Sequence, residues 1–237
     1  MKTAILVDGG FYLRRAKHLF GTKTPCERAD ELVTYCRRHL RDETGKKYSS
    51  LYRIFYYDCP PSEKVVYHPL TGKNIDLRKT SQYRWTNDFF EELCSQRKVA
   101  LRRGELLEGS AGYVLRPEIL KKICRKQITV DDLRESDFIL DIKQKGVDMR
   151  IGLDIASLAN KRLVDQIILI AGDSDFVPAA KHARREGIDF ILDPMWHTIK
   201  PSLNEHIDGL RSRVFAPPGN LRDPLHVNNN DNHLSSI

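Results

Sequence analysis

Asp173 and Asp175 place two carboxylates two residues apart, directly after the apolar run Ile167, Ile168, Leu169, Ile170 and the turn at Gly172. An ionised carboxylate only accepts hydrogen bonds, so two that converge repel each other and call for a compensating cation. Mg²⁺ and Mn²⁺ are hard ions suited to oxygen ligands. The same Gly-Asp-Ser-Asp stretch also has the composition of a turn and helix cap, with Asp or Ser accepting from the backbone. Which of the two holds depends on whether other carboxylates reach the same place.

Several are placed to do so. Asp8 follows the apolar residues Ala4, Ile5, Leu6 and Val7 and precedes Gly9 and Gly10, the opening of a strand-turn-helix unit. Asp148, in Lys145-Gly146-Val147-Asp148, stands where a helix begins, and there it could equally serve as the helix cap. Asp154 comes roughly 1.7 helical turns later, so it faces a different direction from Asp148. Asp58 closes a third strand-like run, although Asp is also common after strands. Arg14 and Arg15 in the first helix, with Lys145 and Ser174, are the candidates for nucleic-acid contact, Lys145 through a phosphate and Ser174 through a metal-bound water; a solvated helix face is the alternative for the two arginines. A solvent-facing lysine and a turn-shaping serine are the alternatives for Lys145 and Ser174.

The elements that must position these groups alternate. Short runs of β-branched and aliphatic residues at 4–7, 51–57, 138–143, 167–170 and 188–192 read as strands, several of them apolar throughout, as in a sheet covered on both faces. Helical spacing appears over 11–20, 28–40, 87–98, from about 148, over 179–186 and over 201–210. Residues 99–107 alternate like a strand. Residues 108–136 form an insertion without a clear pattern, in which Gly109 and Gly112 suggest a hairpin and 117–126 a basic helix. Strands alternating with helices imply a mostly parallel sheet, whose C-terminal edge would collect the carboxylates.

Composition narrows the class. Forty-one per cent hydrophobic and 30% charged residues describe a globular chain, and a formal charge of +7 with a pI near 9.1 favours a polyanionic partner. No run of 18 apolar residues occurs and the N-terminus turns acidic too soon for a signal peptide, so a cytoplasmic protein without a membrane span is expected. The five cysteines are widely spaced, with no Cys-x-x-Cys, and are read as reduced thiols. Between residues 62 and 85, Lys64, Lys73, Arg78, Lys79 and Arg84 interleave with Tyr67, His68, Tyr83 and Trp85, a composition suited to single-stranded nucleic acid as well as to an anchored surface loop. From Pro217 the chain is poor in apolar residues, and a disordered tail over 217–237 is expected.

Carboxylates on a divalent ion suit phosphoryl transfer, and with a basic surface the target is a nucleic-acid phosphodiester. Ile5-Leu6-Val7-Asp8-Gly9, Lys145-Gly146-Val147-Asp148, Asp154 and Ala171-Gly172-Asp173-Ser174-Asp175-Phe176, in this order, resemble the NYN-domain family of PIN-like ribonucleases. The resemblance implies a PIN-like three-layer α/β sandwich over residues 1–216, with a mostly parallel central sheet and helices on both faces. It further implies Mg²⁺- or Mn²⁺-dependent, endonucleolytic cleavage of RNA. Asp8, Asp148, Asp173 and Asp175 would be the metal-binding and catalytic set, and Asp154 a second-tier ligand. The chain departs from the pattern where many members carry Asn, having Gly10-Phe11-Tyr12 after the first Asp-Gly. A non-catalytic RNA-binding module, which that departure would suit, and a small-molecule phosphatase are the competing expectations; a homo-oligomer is compatible with all three.

Overall fold

The computed structural model describes residues 1–213 other than residue 43; the expected tail at 217–237 lies outside the described residues. The chain runs β1 (Lys2–Asp8), α1 (Gly9–Phe20), α2 (Pro25–Arg38), β2 (Ser50–Asp58), the short β3 (Val65–Tyr67) and β4 (Asn74–Asp76), then α3 (Ser81–Ser95) and β5 (Val99–Arg103). It continues with β6 (Glu105–Leu115), α4 (Pro117–Cys124), β7 (Phe138–Lys145), α5 (Val147–Asn160), β8 (Gln166–Ile170), α6 (Val177–Arg185), β9 (Asp189–Asp193), α7 (Pro201–Asn204) and β10 (Gly209–Leu210).

Six strands form the central sheet in the order β10-β9-β8-β1-β2-β5, and every neighbouring pair is parallel. The apolar runs explain the layering. Ala4 and Leu6 of β1 and Ile167 and Leu169 of β8 face one core, shared with Val147, Ile151 and Ile155 of α5 and Ala180 and Ala183 of α6. Their alternate neighbours Ile5, Val7, Ile168 and Ile170 face the other, shared with residues of α1, α2 and α3 such as Tyr12, Leu32 and Phe89. A strand buried on both faces has no polar side to alternate with, which is why its sequence is apolar throughout. Each fully buried Ile or Leu contributes about 1.5–3 kcal/mol. The expected three-layer α/β sandwich is the fold observed.

The strand order reverses at β1. From β1 the chain proceeds outward through β2 to β5, then returns to β8 on the other side of β1 and proceeds to β9 and β10. The C-terminal edge beside such a reversal is where open α/β sheets bind ligands, because the loops diverge there and leave a crevice. Asp8 leaves β1 at this point and Asp173 follows β8.

Several boundaries differ from expectation. The strand expected over 99–107 is cut at Gly104, where a Cβ would lie 2.8 Å from both Cys59 Sγ and Val147 Cγ2 and 2.9 Å from the Lys145 carbonyl. Beyond this close crossing β6 leaves the sheet and pairs antiparallel with β7 in a separate two-stranded arm. Gly109 and Gly112 do not turn a hairpin: β6 runs through them to Leu115, with its register shifting between Leu107 and Gly112. The basic helix expected over 117–126 is α4. The helix expected over 201–210 is only Pro201–Asn204, because residues 209–210 add a short parallel strand beside β9. All five cysteines are free, and no helix among the described residues is long and apolar enough to cross a membrane.

Candidate functional site

Asp8 is held by the geometry around it. Gly9 packs so closely on β2 that a Cβ there would lie 2.6 Å from the Tyr56 ring and from the Tyr57 carbonyl oxygen, so α1 can start only with glycine. One oxygen of Asp8 caps that helix, accepting from the Phe11 amide at 3.1 Å. Burial raises the Asp8 pKa; the Phe11 amide opposes this, the charge of Asp148 adds to it, and the nearby Arg14 guanidinium opposes it again.

The loop after β8 comes close to the same helix end. A Cβ on Gly172 would sit 2.4 Å from Cε2 of Phe11, so only glycine lets the loop rest against the start of α1. Asp173 then caps a single 3₁₀ turn, Ser174–Phe176, accepting from the Asp175 amide at 3.2 Å, and Ser174 Oγ accepts from Lys200 Nζ at 3.1 Å. The turn-and-cap reading of Gly-Asp-Ser-Asp is therefore correct as far as it goes. It does not exhaust the residues, because both carboxylates also act on Asp148.

Asp148 stands in the first turn of α5, after Gly146, whose φ of 82° opens the helix without a side-chain cap. Asp148 is thus not the cap. Desolvation raises its pKa first, followed by the negative charges of Asp173 and Asp175. A chain of like-charge repulsion links Asp173 and Asp175 to Asp148, Asp148 to Asp8, and Asp8 to Asp58. Carboxylates from four segments thus lie within electrostatic reach of their neighbours in this chain, with the Arg14 guanidinium acting on Asp8 in the opposite sense.

Asp58, the residue that closes the third strand-like run of the sequence, belongs to this group. It is 7% exposed, accepts from the Cys59 amide at 2.7 Å and from the Tyr56 hydroxyl at 3.3 Å, and has Gln144 of β7 as a further hydrogen-bond partner. Burial pushes its pKa up to about 6; the three hydrogen bonds oppose that and the Asp8 charge adds to it. The signal available beforehand was its place at the end of a strand, as for Asp8.

Other candidates are not brought into the cluster. Asp154 accepts from the Tyr57 hydroxyl at 2.8 Å and from Arg102 Nε at 3.0 Å, which neutralises it. Arg15 is committed to the Met195 carbonyl, with Nη2 at 2.6 Å and Nε at 3.1 Å. Lys145 is exposed at the end of β7. In the basic-aromatic segment, Trp85 stacks on Phe89 and donates to the Lys23 carbonyl, and buried His68 packs on Tyr113 and Phe138. These two rings are structural anchors.

Whether the group fits a metal has two parts. The chemistry fits: the donors are carboxylate oxygens whose mutual repulsion a divalent cation would relieve. The spacing is looser, since among the described residues no three His, Cys, Asp or Glu side chains gather tightly enough to form a ready-made metal site. Mg²⁺ tolerates this, because it keeps several of its waters and needs only one or two direct carboxylates.

The family model of the NYN domain matches residues 72–204, more than half of the 237 residues. The match contains Lys145, Asp148, Asp154, Asp173 and Asp175, while Asp8 and Asp58 precede it. No curated protein matches the sequence. Among solved structures, a crystal structure of a protein of unknown function from Vibrio parahaemolyticus is similar, at 15% identity over 88% of this chain and 90% of that chain, with a TM-score of 0.41.

Proposed function

The chain belongs to the NYN-domain family of PIN-like nucleases, and we propose that it hydrolyses RNA phosphodiester bonds, endonucleolytically, with Mg²⁺ or Mn²⁺ held by Asp8, Asp148, Asp173 and Asp175. The observation that supports this reading is one of placement: Asp8 ends β1 and Asp173 and Asp175 follow β8 at the reversal point of the sheet, with the charges of Asp8, Asp173 and Asp175 all within electrostatic reach of Asp148. Carboxylates so gathered at the ligand-binding edge of an open α/β sheet are a candidate cation site.

When bound, a divalent ion here supplies the positive charge that polarises a phosphodiester and activates water. The protein's own groups supply the rest. Asp8 and Asp173 are fixed by their caps, so their remaining oxygens keep a constant position on the crevice. Arg14, close to Asp8, is placed to hold a phosphate oxygen, and Lys200 beside Ser174 extends the positive rim. The basic excess of the whole chain favours encounter with a polyanion.

The test is cleavage of single-stranded and structured RNA by the purified protein with Mn²⁺, against its Asp173→Asn variant. The variant is expected to lose at least about 100-fold in rate, the size of effect seen when a key electrostatic group is removed. Equal cleavage by both proteins would end the assignment, and salt-sensitive RNA binding without any metal-dependent cleavage would replace it with a non-catalytic RNA-binding module.

A further inference from the structure

Next to the carboxylates lies a cavity of about 410 Å³ that the proposed cleavage does not use. Gly10 and Asp58 line it on the sheet side of the chain, together with Tyr113 of β6 and Leu140 and Gln144 of β7 from the arm. A Cβ on Gly10 would be 3.6 Å from Asp8 Oδ1 and 3.7 Å from Arg14 Nη1, so the cavity opens directly beside the candidate site. Its size falls within the roughly 300–1,000 Å³ of small-molecule pockets. The walls are unlike the rest of the basic surface: Tyr113 and Leu140 of the arm are apolar, and Asp58 with Gln144 supplies a polar end. The Tyr113 ring is held in place by buried His68, whose ring centroid is 4.5 Å away.

We infer that this cavity receives one nucleobase of the RNA strand, splayed from its neighbours, while the adjoining phosphate lies over Arg14. The inference rests on the reading of the chain as acting on RNA. A planar base matches flat apolar and aromatic walls, the common means of holding single-stranded RNA. The polar end favours a base that carries an exocyclic amine. Asp58 is an acceptor and Gln144 has both a donor and an acceptor, which meets the exocyclic amine and neighbouring ring nitrogen of adenine or cytosine; uracil offers only one ring N–H, flanked by two carbonyl oxygens, and adenine has the larger stacking face. A preference at one position is the consequence.

The measurement is fluorescence anisotropy in EDTA, where no cleavage occurs, with labelled octauridine and the same strand carrying a single adenosine. The native protein is expected to bind the adenosine strand about tenfold more tightly, within the range of one stacked base. Leu140→Trp, which fills the cavity from an arm position, and Gln144→Leu, which removes the amide without adding bulk, are each expected to abolish that difference while circular dichroism stays unchanged. Asp173→Asn is expected to retain it, so a protein that fails to cleave RNA still reports on the pocket. Equal affinity of the native protein for both strands, absence of RNA binding, or a preference that survives both arm variants overturns the inference. Adenosine monophosphate competing as well as the adenosine strand would overturn it too, in favour of a free nucleotide as the occupant.

Discussion

Asp193 and Asp8 begin as equals: each follows a buried apolar run and each ends a strand at the same edge of the same sheet. Their surroundings then diverge. Asp193 is fully buried and accepts from four donors: the Tyr35 hydroxyl, His39 Nε2 at 2.7 Å, the Met195 amide at 2.7 Å and the Ser212 hydroxyl at 2.9 Å. Asp8 has its cap and the charge of Arg14 set against burial and the charge of Asp148. Where donors converge on a strand-ending Asp, it stabilises the fold; where carboxylates converge on it, the fold tolerates a cost, and function is the reason to look for.

That contrast predicts opposite outcomes from equivalent substitutions. Asp193→Ala leaves three buried donors and one partly buried one without their acceptor and is expected to cost about 3–5 kcal/mol. Thermal unfolding should then fall by roughly 10 °C for a chain of this size. At a temperature where the variant stays folded, its cleavage of RNA should be unchanged. Asp148→Asn should do the reverse. Removing one of the repelling charges leaves metal-free stability equal or slightly raised, while Mn²⁺-dependent cleavage drops by about 100-fold or more. If Asp148→Asn unfolds the protein and Asp193→Ala abolishes cleavage, the division between structural and functional carboxylates is drawn in the wrong place.

The division could not have been drawn from the chain alone. The sheet, the helices on its two faces and the strand-ending Asp8 were legible because doubly buried strands leave continuous apolar runs that end abruptly at Asp, whereas Asp148, Asp173 and Asp175 were candidates from their places at helix starts and turns and from the family resemblance. Asp58 and Asp193 carry the same signature as Asp8. Only the fold distinguishes them, since it brings His39 and Tyr35 to one and Asp8 and Gln144 to the other across long sequence separations. The arm was illegible for a related reason. Its exit from the sheet is set by the crowding of Gly104 against Cys59 and Val147, a contact among three distant segments that leaves only a single glycine in the sequence. The commitment of Arg15 to the Met195 carbonyl is a contact of the same long-range kind.

Asp58 lies between the two extremes, and its pH dependence measures where. Its folded pKa of about 6 stands above the unfolded value near 3.9. A raised acid pKa means that the charged form is disfavoured in the folded state, so Asp58 favours folding fully below pH 4 and loses that contribution as pH rises through 6. Asp58→Asn keeps an oxygen for the Cys59 amide and does not ionise. In metal-free urea titrations its advantage over the native protein should therefore be absent near pH 4, grow between pH 4 and 6, and level off at roughly 1–3 kcal/mol at pH 8. A difference independent of pH would mean that Asp58 is as well satisfied as Asp193.

The smallest effect belongs to Asp154, which shares α5 with Asp148 but not its company. Arg102, with 45% of its side chain exposed, pairs with it at 3.0 Å, and solvent screens such a pair to under about 1 kcal/mol. Asp154→Asn removes the charge but leaves an amide oxygen for the Tyr57 hydroxyl, so it isolates the ion pair from the hydrogen bond. Stability should fall by a few tenths of a kcal/mol, to be compared with Arg102→Ala in a double-mutant cycle. Cleavage should be untouched in either variant. A cleavage loss in Asp154→Asn comparable to that of Asp148→Asn, with stability preserved, would bring this residue into the cluster and require Arg102 to release it when RNA or a cation binds.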